Sequence, residues 1–163
     1  MPEMTDLMPA LLSYQDALSK GWLLPPPSRS ITDPDLHLFT DHDGGELRIT
    51  YTRVDDDGTV TALCSLLQVQ PVDGAACLAV GYAVPEHLRG QGRATEILRA
   101  VVKENEQGFR EAGLKAFALE AVVSVDNAAS IAVARRVLTD NPRQITDKIS
   151  GKPALQFIGR WSL

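Results

Sequence analysis

Residues 80–98 read VGYAVPEHLRGQGRATEIL, and this stretch decides how the rest of the chain is organised. An apolar, β-rich run ends at Val84. A short loop containing Gly90 and Gly92 follows, and from about Gly92 or Arg93 the pattern changes to a helical one. Ala94, Ile97, Leu98, Val101 and Val102 fall on one face of a helix that runs to about Arg110. A strand–loop–helix junction of this kind turns unpaired backbone N–H groups outward at the positive end of a helix dipole, where phosphate binds. Glycines at 90 and 92 let an anion approach the backbone without meeting a Cβ. Arg89 and Arg93 add positive charge, and Thr95 offers a hydroxyl. No Gly-Lys-Ser/Thr follows, so this is not a P-loop, and Gly-x-Gly-x-x-Gly is absent, so it is not a dinucleotide fingerprint.

Working outward, three strands are expected before the junction. Glu46–Val54 alternates Leu47, Ile49 and Tyr51, then Asp55-Asp56-Asp57-Gly58 makes a turn. Val60–Val69 is β-rich and ends at Pro71, Asp73-Gly74 turns again, and Ala76–Val84 completes a meander. Leu36–Phe39 reads as a short strand before it. After the junction, Ala116–Val125 is apolar with little alternation, as in a strand buried on both faces. Asn127–Leu138 is a second helix broken by Asn141-Pro142, and Arg143–Ser150 with Ala154–Trp161 forms a closing hairpin. At the other end, Asp6–Lys20 carries a helical stripe of Leu7, Leu11, Tyr14 and Leu18 closed by Gly21, and Pro25-Pro26-Pro27 begins a loop or extended crossing. The expected architecture is α/β, a mixed and mostly antiparallel sheet with helices on both faces.

Composition bounds the function. A chain of 163 residues is the size of one domain, and 44% apolar with 23% charged residues is ordinary for a globular protein. No apolar run is long enough to span a bilayer, and the N-terminus carries acids where a secretion signal needs bases. Cys64 and Cys77 lack partners at metal-ligand spacing, so no metal site is expected and a reducing, cytoplasmic setting fits. A net charge of −5 argues against nucleic acid as a partner. Residues 1–75 hold twelve acids and four bases, while residues 76–163 hold nine acids and twelve bases. A positive second half suits a polyanionic ligand.

The run Arg89-Gly90-Gln91-Gly92-Arg93-Ala94 resembles the acetyl-CoA signature of the GNAT superfamily of N-acetyltransferases, Arg/Gln-x-x-Gly-x-Gly/Ala. Val84 stands five residues ahead of Arg89, as in that family. A second family signature, a buried strand followed by Asn-x-x-Ser/Ala at a helix start, is matched by Asn127-Ala-Ala-Ser130. The two together cover roughly residues 76–138, and the chain looks most similar to the branch of predicted and ribosomal-protein-type acetyltransferases. The resemblance implies one GNAT domain over residues 1–163. Residues 1–35 form its N-terminal helix and proline-rich loop, and residues 76–138 its acetyl-CoA-binding core.

The resemblance also implies roles. The backbone amides of Gln91, Gly92, Arg93, Ala94 and Thr95 would hold the pyrophosphate, with Arg89 and Gly90 shaping the loop. Tyr82 and Val84 would pair with pantetheine along a splayed strand, and the Val84 amide would face the thioester carbonyl. Asn127 would orient pantetheine or the acceptor, or cap its helix, and Ser130 has the same two readings. The tyrosine that many members carry seven residues after the asparagine is replaced by Ala134, and the Gly-Phe that often closes the helix is replaced by Leu138-Thr139. Tyr82 and Tyr51 are the candidate substitutes as proton donor. Glu120, a lone carboxylate in the strand AFALEAVV, is the candidate base, or else a side chain at the sheet edge that is solvated or paired. The expected reaction is direct attack of a small-molecule or peptide amine on acetyl-CoA, catalysed by a monomer or homodimer. Ala134 keeps open a non-catalytic acyl-CoA-binding module on the same fold. A tRNA-acetylating toxin is disfavoured by the charge.

Overall fold

In the computed structural model, which describes residues 6–163, one eight-stranded sheet organises the chain. The first five residues, and with them the start of the segment in which no secretion signal is read, lie outside the described residues. The elements run α1 (Met8–Ser19), β1 (Ser28–Arg29), β2 (Leu36–Asp43), β3 (Glu46–Val54), β4 (Val60–Val72), β5 (Ala75–Ala83), α2 (Arg93–Glu111), β6 (Ala116–Ser124), α3 (Ala128–Val137), β7 (Arg143–Thr146) and β8 (Pro153–Ser162). The sheet order is β1-β2-β3-β4-β5-β6-β8-β7. Every pairing is antiparallel except β5 with β6. The mixed, mostly antiparallel sheet expected from the sequence is therefore present.

Helices cover both faces. On one face α2 and α3 bury Ile97, Leu98, Val101 and Ala134 against Leu66, Val80, Phe117 and Phe157. On the other α1 sets Leu11 and Tyr14 on Val60, Leu63 and Ala83. The period-two rule assigns each strand position to one layer. On β6, Phe117, Leu119, Ala121 and Val123 belong to the α2 layer, which leaves Ala118, Glu120 and Val122 toward α1.

The strand boundaries differ from the sequence reading in ways the turns explain. β2 reaches Asp43, beyond Phe39, because Gly44 and Gly45 at φ +58° and +88° make a tight hairpin to β3. β4 continues past Pro71 to Val72, since a register break between Val69 and Val72 takes the proline out of the ladder. The Asp73-Gly74 turn has both residues at positive φ, as a two-residue hairpin requires. β7 stops at Thr146, short of Ser150.

A buried carboxylate anchors the loop before β2 onto α2. Glu104 is 8% exposed and accepts from Ser30 Oγ at 2.5 Å, Thr32 Oγ1 at 2.7 Å, and the amides of Ile31 and Thr32, each at 3.0 Å. Desolvation pushes its pKa up, but these four donors together outweigh it and hold the carboxyl below its ordinary value of 4.5. Glu104→Gln therefore loses about 1–3 kcal/mol of stability by urea unfolding near neutral pH. Because the folded-state pKa is depressed, the wild-type advantage is full above 4.5 and fades as pH falls through the folded value. An equal penalty at neutral and strongly acid pH would contradict this.

Candidate functional site

The parallel ladder between β5 and β6 is short. It pairs Ala76 with Phe117 and ends at Ala79 with Glu120. Beyond that point β5 stays on β4 as far as Ala83, and β6 stays on β8 as far as Ser124. The two strands diverge, and on its β6 side Val80–Ala83 has no ladder partner. Two cavities open beside this gap, and both are bordered by Leu7 at the start of α1. One, of about 690 Å³, is bounded by Tyr82 and Val84 on one side and Ser124 and Asn127 on the other, with the start of α2 at its end. The other, of about 400 Å³, lies under α1 and is bounded by Ala79, Gly81, Glu120 and Val122. The splayed strand implied by the resemblance is thus present, with Glu120 at the apex of the split.

The loop from Val84 to Arg93 is shaped for an anion. Gly90 and Gly92 adopt φ +76° and +74°, and an ideal Cβ at either would face open space, so the conformation itself demands glycine. Gly92 is the N-cap of α2 and supplies no side-chain cap, so the first helical bond is Glu96 N–H to the Gly92 carbonyl. The amides ahead of it have no capping side chain. α3 contrasts with this: Asn127 Oδ1 accepts from Ser130 N–H at 3.1 Å. The protein closes one helix start and leaves the other open, and the open one ends the larger cavity. This backbone fits a pyrophosphate.

Tyr82, Val84, Arg89, Gly90, Gly92, Arg93, Ala94, Thr95, Asn127 and Ser130 all border the larger cavity. Gln91 does not; its exposed side chain takes a long contact of 3.4 Å from Arg93 Nε. Arg89 has a structural task, since its Nε donates to the Val84 carbonyl at 3.0 Å and ties the end of the strand to the loop. Asn127 is a helix cap, one of its two readings, with its amide nitrogen still available to the cavity. The Val84 side chain is core.

Glu120 is not a solvated edge residue. It is 4% exposed, and its Oε1 accepts from Gln156 Nε2 at 2.8 Å. Tyr82 is buried, and its hydroxyl donates to the Ser130 carbonyl at 2.7 Å. That carbonyl lies one helical turn before Ala134, so a phenol from β5 reaches the stretch of α3 whose tyrosine is missing. Burial pushes the Tyr82 pKa well up, and the phenol stays protonated across the working range. Tyr51 points elsewhere: it sits in the α2 layer and receives a bond from Asn105 Nδ2 at 3.3 Å.

Arg136 was not singled out from the sequence. It borders the larger cavity from α3 and, with Arg99, frames a further hollow beside Gly92 and Thr95. The Arg135-Arg136 pair reads as a helix end with basic residues, and only the fold aims one of them at the α2 start.

Comparison with known proteins identifies a family for the sequence. Residues 4–137 match a family model described as acetyltransferase (GNAT) domain. No curated protein matches the sequence. Among solved structures, the NatC complex bound to Gag peptide and CoA aligns at 16% identity and TM-score 0.52, over 70% of each chain. A GNAT-family acetyltransferase from Streptococcus pneumoniae aligns at 10% identity and TM-score 0.51, over 70% of this chain and 67% of that one. A spermidine N-acetyltransferase chimera from Vibrio cholerae and hSSAT gives 15% identity and TM-score 0.50, over 72% and 70%. These likenesses concern the fold, while the family match spans most of the sequence. The chain belongs to the GNAT acetyltransferases, enzymes that move an acetyl group from acetyl-CoA to an amine.

Proposed function

We propose that the amine acceptor reaches the thioester of acetyl-CoA from the α1 side of the sheet and attacks it directly, in the gap between β5 and β6. One observation carries the reading: the ladder that stops at Ala79 and Glu120 lies beside two cavities, one under α1 and one at the start of α2, that meet at Leu7. In this reading the uncapped first turn of α2 and the loop at Gly90–Gly92 hold the pyrophosphate. The unpaired edge of Val80–Val84 lines pantetheine, and the Val84 amide polarises the thioester carbonyl. Acetyl-CoA supplies the activated acyl group, and the protein supplies alignment and a path for the protons that leave nitrogen and the one that reaches sulfur.

Glu120 takes a proton from the incoming ammonium. It stands at the apex of the split on the acceptor side, and its second carboxylate oxygen, Oε2, accepts from no described residue. As the carbon–sulfur bond breaks, Tyr82 donates to the leaving thiolate, exchanging its bond to the Ser130 carbonyl for one to sulfur, and the second proton shed by the newly bonded nitrogen restores the phenol. Cys64 and Cys77 take no part. Both are buried and free, and desolvation raises both thiols, Cys77 to about 11. Two buried free thiols also support a reducing compartment, and we place the reaction in the cytoplasm. The non-catalytic alternative rested on Ala134, and the position of the Tyr82 phenol beside α3 argues against it.

Gly92→Val should raise the acetyl-CoA Kd at least roughly a hundredfold by calorimetry. A β-branched residue at positive φ costs about 1–2 kcal/mol in strain and also obstructs the phosphate approach. An unchanged Kd in a folded variant would put the phosphate site elsewhere. Glu120→Gln should lower kcat by about two to four orders of magnitude in a CoA-thiol release assay, with the acetyl-CoA Kd unchanged. A loss under about threefold would remove Glu120 from the proton path. Tyr82→Phe should reduce kcat by about tenfold or more while leaving cofactor affinity in place. If kcat is kept, water protonates the thiolate.

A further inference from the structure

We propose that the acceptor is a linear amine with a second positive charge at its far end, its reacting amine at Glu120 and its distal cation beside Asp41 and Asp43. The proposal rests on the acyl-transfer reading above and adds the substrate class.

The strand register builds the arrangement. Asp41 pairs with Arg48, Arg48 with Leu67, Leu67 with Ala79, and Ala79 with Glu120. Directly paired residues share a face, so these five form one row across β2 to β6 beneath α1. All five border the 400 Å³ cavity. Strands lie about 4.8 Å apart, so the row spans roughly 19 Å of backbone, less the inward reach of the end side chains. A slim chain fits its middle, where Leu67 and Ala79 offer no polar group.

Both ends are negative. At one end Glu120 is 4% exposed with one oxygen on Gln156, and no described residue donates to the other. That oxygen is not among the buried unpartnered atoms, so it opens onto the cavity, where a ligand ammonium can reach it. At the other end Arg48 is already occupied. Its Nε and Nη2 hold the two oxygens of Asp41 at 2.8 and 2.6 Å, and Nη1 reaches Asp43 at 3.4 Å. Two carboxylates face one guanidinium, and Asp43, bound only by the long contact, keeps 60% of its side chain exposed. An anionic tail would have to break the bidentate pair. A cationic tail needs only to approach Asp43.

The test is a CoA-release assay with linear terminal diamines of increasing length, alkylamines of matched length, and ω-amino acids of matched length. At low salt the best diamine should exceed its matched alkylamine in kcat/KM by about fivefold, the range of one partly exposed ion pair. The ω-amino acid should be the poorest. Asp43→Asn should bring the diamine-to-alkylamine ratio toward one, and added salt should do the same. A ratio of one in the wild type, with alkylamines turned over, overturns the charge reading and leaves the transferase reading standing. Preference for the ω-amino acid overturns it in favour of Arg48 as a carboxylate reader. No CoA release from any amine, with acetyl-CoA still bound, defeats the acyl-transfer reading and this inference with it.

Discussion

The parallel ladder between β5 and β6 runs from Ala76 and Phe117 only to Ala79 and Glu120, and most of what the molecule can do follows from where it stops. Each strand is held by its outer neighbour past that point, β5 by β4 and β6 by β8, so neither is free to swing across and close the gap. The peptide groups along the inner edge of Val80–Ala83 go without a sheet partner. A buried backbone group left unpaired costs about 1–3 kcal/mol, which an extended amide-bearing ligand can recover by taking the place of the missing strand. The sheet stays continuous at its base and is split at its top, and the split lies beside two cavities that meet at Leu7.

The ends of the helices follow from the same geometry. α2 begins where β5 gives out, on an αL glycine with no capping side chain, and its dipole points into the larger cavity. α3 begins where β6 gives out, with Asn127 closing its first turn and Ser130 offering a carbonyl to Tyr82. Arg89 fixes the connection by binding the Val84 carbonyl. Elsewhere the charges are structural. Arg53 bridges Asp33 and Glu96, and Glu104 gathers the loop at Ser30–Thr32, so the segment before β2 is tied to α2 from two sides.

Much of this was legible in the sequence because it was local. The strand, glycine loop and amphipathic helix of residues 80–98 are written in consecutive residues, and the Asp-Gly turns fix two hairpins without outside help. The extension of β2 was missed because Asp41, His42 and Asp43 carry no alternating apolar signal; Gly44-Gly45 and pairing with β3 set that strand. Long-range register was out of reach altogether. Nothing near Glu120 in the sequence says that Ala79 is its neighbour, or that Asp41 and Arg48 lie in its row four and three strands away. The same holds for Arg136, whose nearness to the α2 start depends on the packing of two helices.

The claim that a ligand replaces the missing strand contact is tested most directly by amide hydrogen exchange with and without acetyl-CoA. Protection should concentrate in two segments, the inner edge at 80–84 and the loop and first helical turn at 91–95, with the β4 side of β5 and the body of α2 unchanged. Protection spread evenly over the sheet, or confined to the α1 side, would contradict it.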